Sequence, residues 1–479
     1  MLLKKFLLVI FILLIGYRYS GAQINSLSPS ATEFVRYGRI PVNYFNGLAN
    51  VSVPILPALD KSGSTAISLS YHGSGIKVNQ LPTWVGLGWN LNVGGVISRI
   101  VNGIPDESNQ ADLYKSTGIS WPGQYFGYFY TSNYLDNADW NQLSGFAQYF
   151  GTHSADYKGY LDAAPDEFVI NCQGISASFY MYKDKNGQFG FKIKDNGGEK
   201  FVVKAPRLLH GNQNVVLGYH GAHNEIALTT ENLNTLFYEF VIMKLDGTKL
   251  VFGGDYNAIE FSTSLASGKT ASNSIPYLKT LPNSWLLREV VLPTGERTSF
   301  QYKREVSPVI LNDVISKYYV YKAGESVGTC LGCDDVDGQS FTFQHPVYLE
   351  KIKLSNQGTL NFYTSKTSDL PKVNLSYASL FQTRLVNSGI MKRFNLDIHQ
   401  TGNPFLKLDS IVLNDDKNKI LKGIYFAYKD TVTERLKVES IEIRGANRKK
   451  SEIYSFAYNS RKLPAYNSTL TDNWGQSAN

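Results

Sequence analysis

The chain has 479 residues, among them 31 Tyr, 26 Phe and 41 Gly against 4 Met, and a formal net charge of +7. With so little net charge and no Lys/Arg run forming a patch, composition points to no nucleic-acid partner and no charged membrane face. Three cysteines, Cys172, Cys330 and Cys333, exclude a disulfide-stapled scaffold, so a packed core must hold the fold.

Residues 1–22 read as an export signal. Lys4 and Lys5 precede a short apolar run over 6–15, and Ser20-Gly21-Ala22 offers small residues for cleavage. The run is shorter than the roughly 20 residues that span a bilayer, and no later stretch is apolar enough to do so. The mature chain is expected outside the cell or on its surface. Length predicts two or three domains, and the Tyr/Phe/Gly mix predicts a mainly β fold. The expected organisation is an N-terminal β domain over 23–205, built of antiparallel sheets in a sandwich-like arrangement with a surface insert at about 103–160. A connecting β region over 206–283 follows, then a hairpin-repeat sheet over 284–479 that ends incomplete.

In chain order, 39–44, 49–55 and 66–71 read as short strands leading into residues 81–101, LPTWVGLGWNLNVGGVISRIV. Here Trp84 and Trp89 sit among Gly86, Gly88, Gly94 and Gly95. From Trp89 the pattern alternates, with Trp89, Leu91 and Val93 on one side and Asn90 and Asn92 on the other. Gly94-Gly95 interrupts as a bulge or bend. Val96, Ile97, Ile100 and Val101 resume the strand, with Arg99 expected on the polar side. Interior glycine disfavours a helix by about 1 kcal/mol per residue, which excludes helix here.

Pro105-Asp106-Glu107 ends that strand. The insert carries an aromatic patch over 125–134 and a short helix is expected within 133–150. Hairpins follow at Asn186-Gly187, Asn196-Gly197-Gly198 and Asp246-Gly247, since Asn-Gly and Asp-Gly accept the positive φ of tight turns. Residues 285–302, 348–363, 408–428 and 437–458 are loose copies of one unit: an apolar strand, a polar turn and a second strand, most often ending Phe-x-Tyr. They predict one antiparallel sheet extended hairpin by hairpin, with Arg448-Lys449-Lys450 at a hairpin tip.

Motifs that carry chemistry are incomplete. Cys330-x-x-Cys333 lacks the further ligands of a zinc site and reads as a possible local disulfide, leaving Cys172 buried and free. Asp335, Asp337 and Gly338 resemble a calcium loop that fails at Cys333 and Gln344. His220 and His223 could place two imidazoles near one another, with Glu225 following, but in a polar loop they read as ordinary exposed histidines. Asp162, Asp166 and Glu167 could pair as hydrolytic carboxylates, but nothing in the sequence fixes that geometry and strand-start and turn roles are the favoured reading. Ser74 lacks the nucleophile-elbow spacing because His72 precedes it. Gly86-x-Gly88 opens no helix. No catalytic, cofactor or metal residue is assigned. The distinctive residues are structural: Trp84, Gly86, Gly88, Trp89, Gly94, Gly95 and Arg99.

Several motifs occur in a telling order. Tyr37-Gly38-x-Ile40-Pro41-Val42 precedes Trp84-Val85-Gly86-Leu87-Gly88-Trp89-x-Leu91, Gly94-Gly95-x-Ile97-x-Arg99 and Pro105-Asp106-Glu107. Pro165-Asp166-x-Phe168, Asp246-Gly247-Thr248, Trp285-Leu286-Leu287 and Asp472-Asn473-Trp474-Gly475 follow. This series resembles the N-terminal region of the secreted Rhs/YD-repeat proteins of Bacteroidetes and, more distantly, the B component of insecticidal toxin complexes. The resemblance implies a β-rich secreted scaffold. Members usually continue into YD repeats, a core closing a hollow shell and a C-terminal effector. None of these is in this sequence, so encapsulation and toxicity do not carry over. The expectation is a non-enzymatic exported scaffold whose partner is another protein or a continuation of the same system. The alternatives are a carbohydrate-binding or glycan-degrading surface protein, through the 125–134 patch or Asp162 and Asp166, and an outer-membrane β-barrel.

Overall fold

The alternating aromatic and β-branched runs become strands, and the computed structural model is mainly β. It describes residues 51–102, 105–107, 125–129, 160–161, 164–268, 277–304, 309–318, 336–368, 405–446, 451–460 and 462–464, apart from short gaps at 74, 79, 173, 185, 199, 211–213, 221–223, 230–234 and 356–357. The expected signal over 1–22, the strand over 39–44, the helix within 133–150, Cys330, Cys333, Asp162, His223 and Asp472–Gly475 lie outside the described residues.

One 15-residue strand, Tyr277–Val291, belongs to two sheets. Its first part pairs with Ile259–Gly268 and, at Ser284 to Leu286, with Gly95–Ile100. From Gly95–Ile100 the first sheet continues through Glu167–Cys172, Ile175–Lys183 and Phe189–Asp195. From Ile259–Gly268 it continues through Val336–His345 and Val309–Tyr318. A bulge at Asn283 separates Ser284, opposite Glu260, from Pro282, opposite Phe261. Bulges are where an interior strand tolerates proline.

The last part of the shared strand pairs with Lys249–Gly253 and Arg297–Arg304 and so founds the second sheet. One arm runs through Thr235–Lys244 to Phe201–Val203 and Arg207–His210. The other is an antiparallel succession of Arg297–Arg304, Val347–Lys353, Thr359–Lys366, Leu406–Asn414, Ile420–Thr431, Glu434–Gly445 and Ser451–Ser455. The hairpin-by-hairpin extension is therefore present. The shared strand runs straight through position 284, where the sequence suggested a boundary. A separate three-stranded sheet joins Val51–Leu56, Ile67–Tyr71 and Trp89–Asn92.

Where Val336–His345 gives way to Val347–Lys353, the chain changes sheets at Pro346. Arg304 stitches this corner. Its guanidinium donates to the carbonyls of His345 (2.9 Å), Tyr256 (2.5 Å) and Ile259 (2.6 Å). Burial pulls Arg304 down to about 10, which leaves it charged at neutral pH.

One continuous apolar core runs from Val53 to Ile443. At its centre Trp285 packs 4.9 Å from Phe240 and 5.9 Å from Phe168, ring centre to ring centre, and its indole N–H donates to the Phe237 carbonyl at 2.7 Å. Buried indoles need such a partner.

Candidate functional site

The 81–101 stretch forms a clasp between the N-terminal strands and the last hairpins. Thr83 organises its loop, donating from Oγ1 to the Trp89 carbonyl at 2.6 Å. The loop then bonds outward. The Trp84 carbonyl accepts from the Leu408 amide (2.8 Å), and the Leu87 amide donates to the Leu436 carbonyl (2.9 Å). Pairing between Leu406–Asn414 and Ile420–Thr431 covers only Ser410 to Asn414, so the sheet splays at Leu408. There the Trp84 carbonyl and the Tyr428 hydroxyl, which donates to Leu408 O at 2.6 Å, satisfy the strand in place of a neighbour.

Both tryptophans anchor this clasp. Trp84 stacks on Phe362 at 6.2 Å and leans on Tyr348. Trp89 packs edge-on against Phe456 at 4.7 Å and donates from Nε1 to the Tyr458 hydroxyl at 2.7 Å. That hydroxyl in turn donates to the Val438 carbonyl. Gly86 has φ +105°, and a Cβ there would stand 3.0 Å from the Val438 amide nitrogen. Gly88 and Gly94 also take positive φ. Gly95 is needed for closeness, since its Cβ would fall 2.6 Å from that of Cys172, a free and buried thiol whose pKa burial raises.

Arg99 is not on the polar side. It shares the core face with Ile97, is fully buried, and lies 5.7 and 5.6 Å from the ring centres of Phe168 and Phe237. Two Pro-Asp-Glu tripeptides make that tolerable. Arg99 Nε donates to Asp166 Oδ2 at 2.8 Å and Nη1 to Glu107 Oε1 at 2.9 Å, while Nη2 reaches both carboxylates. The tripeptides also interlock. The Asp106 amide donates to Asp166 Oδ2 at 3.1 Å, and the Asp166 amide donates to both oxygens of Asp106 at 3.1 Å. Glu167 turns outward to Lys194 Nζ at 2.9 Å.

Burial pushes the Asp166 carboxyl up to about 6, against the pull of Arg99, and pushes Asp106 well above the usual carboxylate range. Arg99 is committed to Asp166 and Glu107, and the nearby Asp166 carboxylate adds to the effect of burial in raising Asp106. For Arg99 itself burial favours the neutral form, and Asp166 and Glu107 overcome that and raise its pKa. The sequence signal for this cluster was the repeated Pro-Asp-Glu at 105–107 and 165–167, which strand-end and turn readings absorbed.

The remaining candidates separate. Asp166 is fully buried and accepts from Arg99, Asn102 and Asp106, so it presents no carboxylate to a substrate. Of the aromatic patch only 125–129 is described, and Phe129 turns into the core against Phe189 and Phe237. Among the described residues no group of His, Cys, Asp and Glu could hold a metal ion, and no helix is long and apolar enough to cross a membrane.

A second feature lies at the end of the second sheet. The Phe456 amide donates to the Glu439 carbonyl at 2.8 Å, which fixes the alternation of the ladder. Glu452 and Tyr454 therefore bond inward, while Ser451, Ile453 and Ser455 point their amides and carbonyls away from the sheet. Among the described strands, Glu434–Gly445 alone pairs with Ser451–Ser455, and Gly95–Ile100 is already paired on both of its sides. On the outer face, Tyr363, Ser410, Tyr425, Glu442 and Ile453 form one cross-strand row, its ends 54% and 61% exposed.

No family model and no curated protein matches the chain. Among solved structures, it is similar to the N-terminal domain of the effector protein SpvB from Salmonella typhimurium strain LT2, at 10% identity and a TM-score of 0.33, over 86% of this chain and all of that one. It is also similar to a TcdB2-TccC3-Cdc42 structure, at 11% identity and a TM-score of 0.33, over 85% of this chain and 15% of that one. A third is the Photorhabdus luminescens Tc holotoxin pore with a mutated TccC3, at 12% identity and a TM-score of 0.34, over 84% of this chain and 15% of that one.

Proposed function

We propose that the chain is a non-enzymatic, exported β-scaffold module, the front part of an Rhs/YD-repeat-like surface or secreted assembly. It joins that assembly by strand addition at Ser451–Ser455. The observation that carries this reading is the edge itself. Three residues on the last described strand hold their backbone groups outward, and Ile453 continues an exposed side-chain row beside them. Edges of this kind are templates for another strand. By contrast, one edge of the first sheet, Phe189–Asp195, is blunted by exposed Lys192 and Lys194. The clasp fits the same role, because it locks the growing sheet to the N-terminal strands.

Ile453→Pro tests this reading. It deletes one outward donor and leaves the inward bonds of Glu452 and Tyr454 in place. By light scattering, the parent chain is expected to associate with rising concentration or with a co-expressed neighbour, and the variant to stay monomeric with the same circular dichroism. A parent that is monomeric alone and with every candidate partner would overturn the proposal, as would a variant that associates equally well.

A further inference from the structure

The two faces of the first sheet are unlike each other. Ile97, Ile170, Ile259 and Trp285 share one face and line the aromatic core. On the other face the register sets Ser178, Val169, Ser98, Ser284 and Glu260 in a row across five adjacent strands, and beside it Ser262 opposite Gln344. Asn283, extruded by the bulge, donates to Gln344 Oε1 at 3.2 Å. This second face is buried as well. Ser98, Ser262, Ser284 and Gln344 are 0% exposed.

Among the described residues, Ser98 Oγ, Ser262 Oγ, Ser284 Oγ and Gln344 Nε2 nevertheless find no hydrogen-bond partner. Buried hydroxyls and amides left unpaired oppose folding. Four of them together would weigh against it on the scale of a domain's whole net stability. Directly opposed side chains in such a ladder stand about 4.5–5.5 Å apart at Cβ. That gap is too wide for one hydroxyl to reach the next from most rotamers, but one water spans it with two bonds of about 2.8 Å. These four groups are neutral and mix donors with acceptors, which suits water; Glu260, the acid in the same row, accepts from the Val347 amide.

We propose that this face is an internal hydration site. A file of ordered water molecules bridges Ser98 to Ser284 and Ser262 to Gln344, and lets the shared strand carry its bulge at Asn283 inside the protein. Each water then has the two or more polar partners that buried water needs.

A high-resolution crystal structure of the full chain tests this directly. Water oxygens are expected within about 3.2 Å of Ser98 Oγ, Ser284 Oγ and Gln344 Nε2. Thermal unfolding of Ser98→Ala/Ser284→Ala adds a readout of opposite sign for the two readings, with Ser262→Ala as a separate and milder variant. Losing the anchors of bound water lowers Tm by on the order of 2 °C. Removing dry, unpaired hydroxyls leaves Tm unchanged or raises it. Side chains or a metal ion in place of water, an empty seam, or variants that melt no earlier than the parent would each overturn the proposal.

Discussion

Gly86→Ala places a methyl group where the clasp meets the last hairpins. The backbone there has φ +105°, and left-handed conformations disfavour an L side chain by about 1–2 kcal/mol. The new Cβ would also stand 3.0 Å from the Val438 nitrogen, which is backbone and has little freedom to yield. Backing the loop away stretches the bonds from Leu408 N to Trp84 O and from Leu87 N to Leu436 O. At about 0.5–1.5 kcal/mol each, these bring the total to about 2–5 kcal/mol. Gly63→Ala is the control. Gly63 has φ +76° with nothing within 4 Å of its Cβ, so it carries the backbone strain alone, about 1–2 kcal/mol. Urea unfolding monitored by tryptophan fluorescence measures both losses. Hydrogen exchange locates the first, which should speed the Leu408 and Leu87 amides selectively. Equal losses for the two variants, with unchanged exchange at Leu408, would refute the clasp.

Arg99→Leu leaves Glu107 and Asp166 buried without their cation, for an expected loss of about 3–5 kcal/mol in urea unfolding. Lys61→Ala, at the exposed pair with Glu296, should lose under about 1 kcal/mol, and similar losses at the two sites would contradict the assignment of burial. Trp89→Phe keeps the ring contact with Phe456 and removes the donor to Tyr458, so about 1 kcal/mol should go, and none should go if that bond is absent. The acids titrate with a definite sign. A raised folded pKa means the native state holds its proton more tightly, so stability from Asp166 is full below about 3.8 and declines as pH rises through about 6. Asp106, also raised chiefly by burial, contributes with the same sign. Asp106→Asn removes its own titration, so unfolding midpoints of the variant should improve relative to the parent from pH 5 towards 8, and a gap that widens instead would show Asp106 ionised.

Local pattern and long-range pairing were unequally readable. The hairpins at Gly187 and Gly247 and the strands at 348–363 and 408–428 follow from alternation and turn residues within a few positions of each other. Sheet membership does not, because it depends on distant partners. Nothing near Arg297–Arg304 tells that its neighbour is Val347–Lys353, reached only after a hairpin contributed to the other sheet. The bulge beside Pro282 shows only in the pairing with Ile259–Gly268, where Tyr277–Val291 proves to be a strand shared by two sheets. At Arg99 two rules conflicted. Alternation from Ile97 directed it inward and charge directed it outward. Alternation prevailed because Asp166, 67 positions away, and Glu107 supply the counter-charges. The clasp was visible as an unusual stretch, but its mate was not, since Trp89 and Tyr458 lie 369 positions apart.

Amide hydrogen exchange along Ser451–Ser455 tests the scaffold role most directly. In the isolated chain, Ser451, Ile453 and Ser455 should exchange fast, while Glu452 and Tyr454, bonded to Ile443 and Ile441, should exchange slowly. On association with a partner or a second copy, the three fast amides should become protected together, which is what one added strand would do. Association that leaves all three exchanging as before would place the interface elsewhere and contradict strand addition.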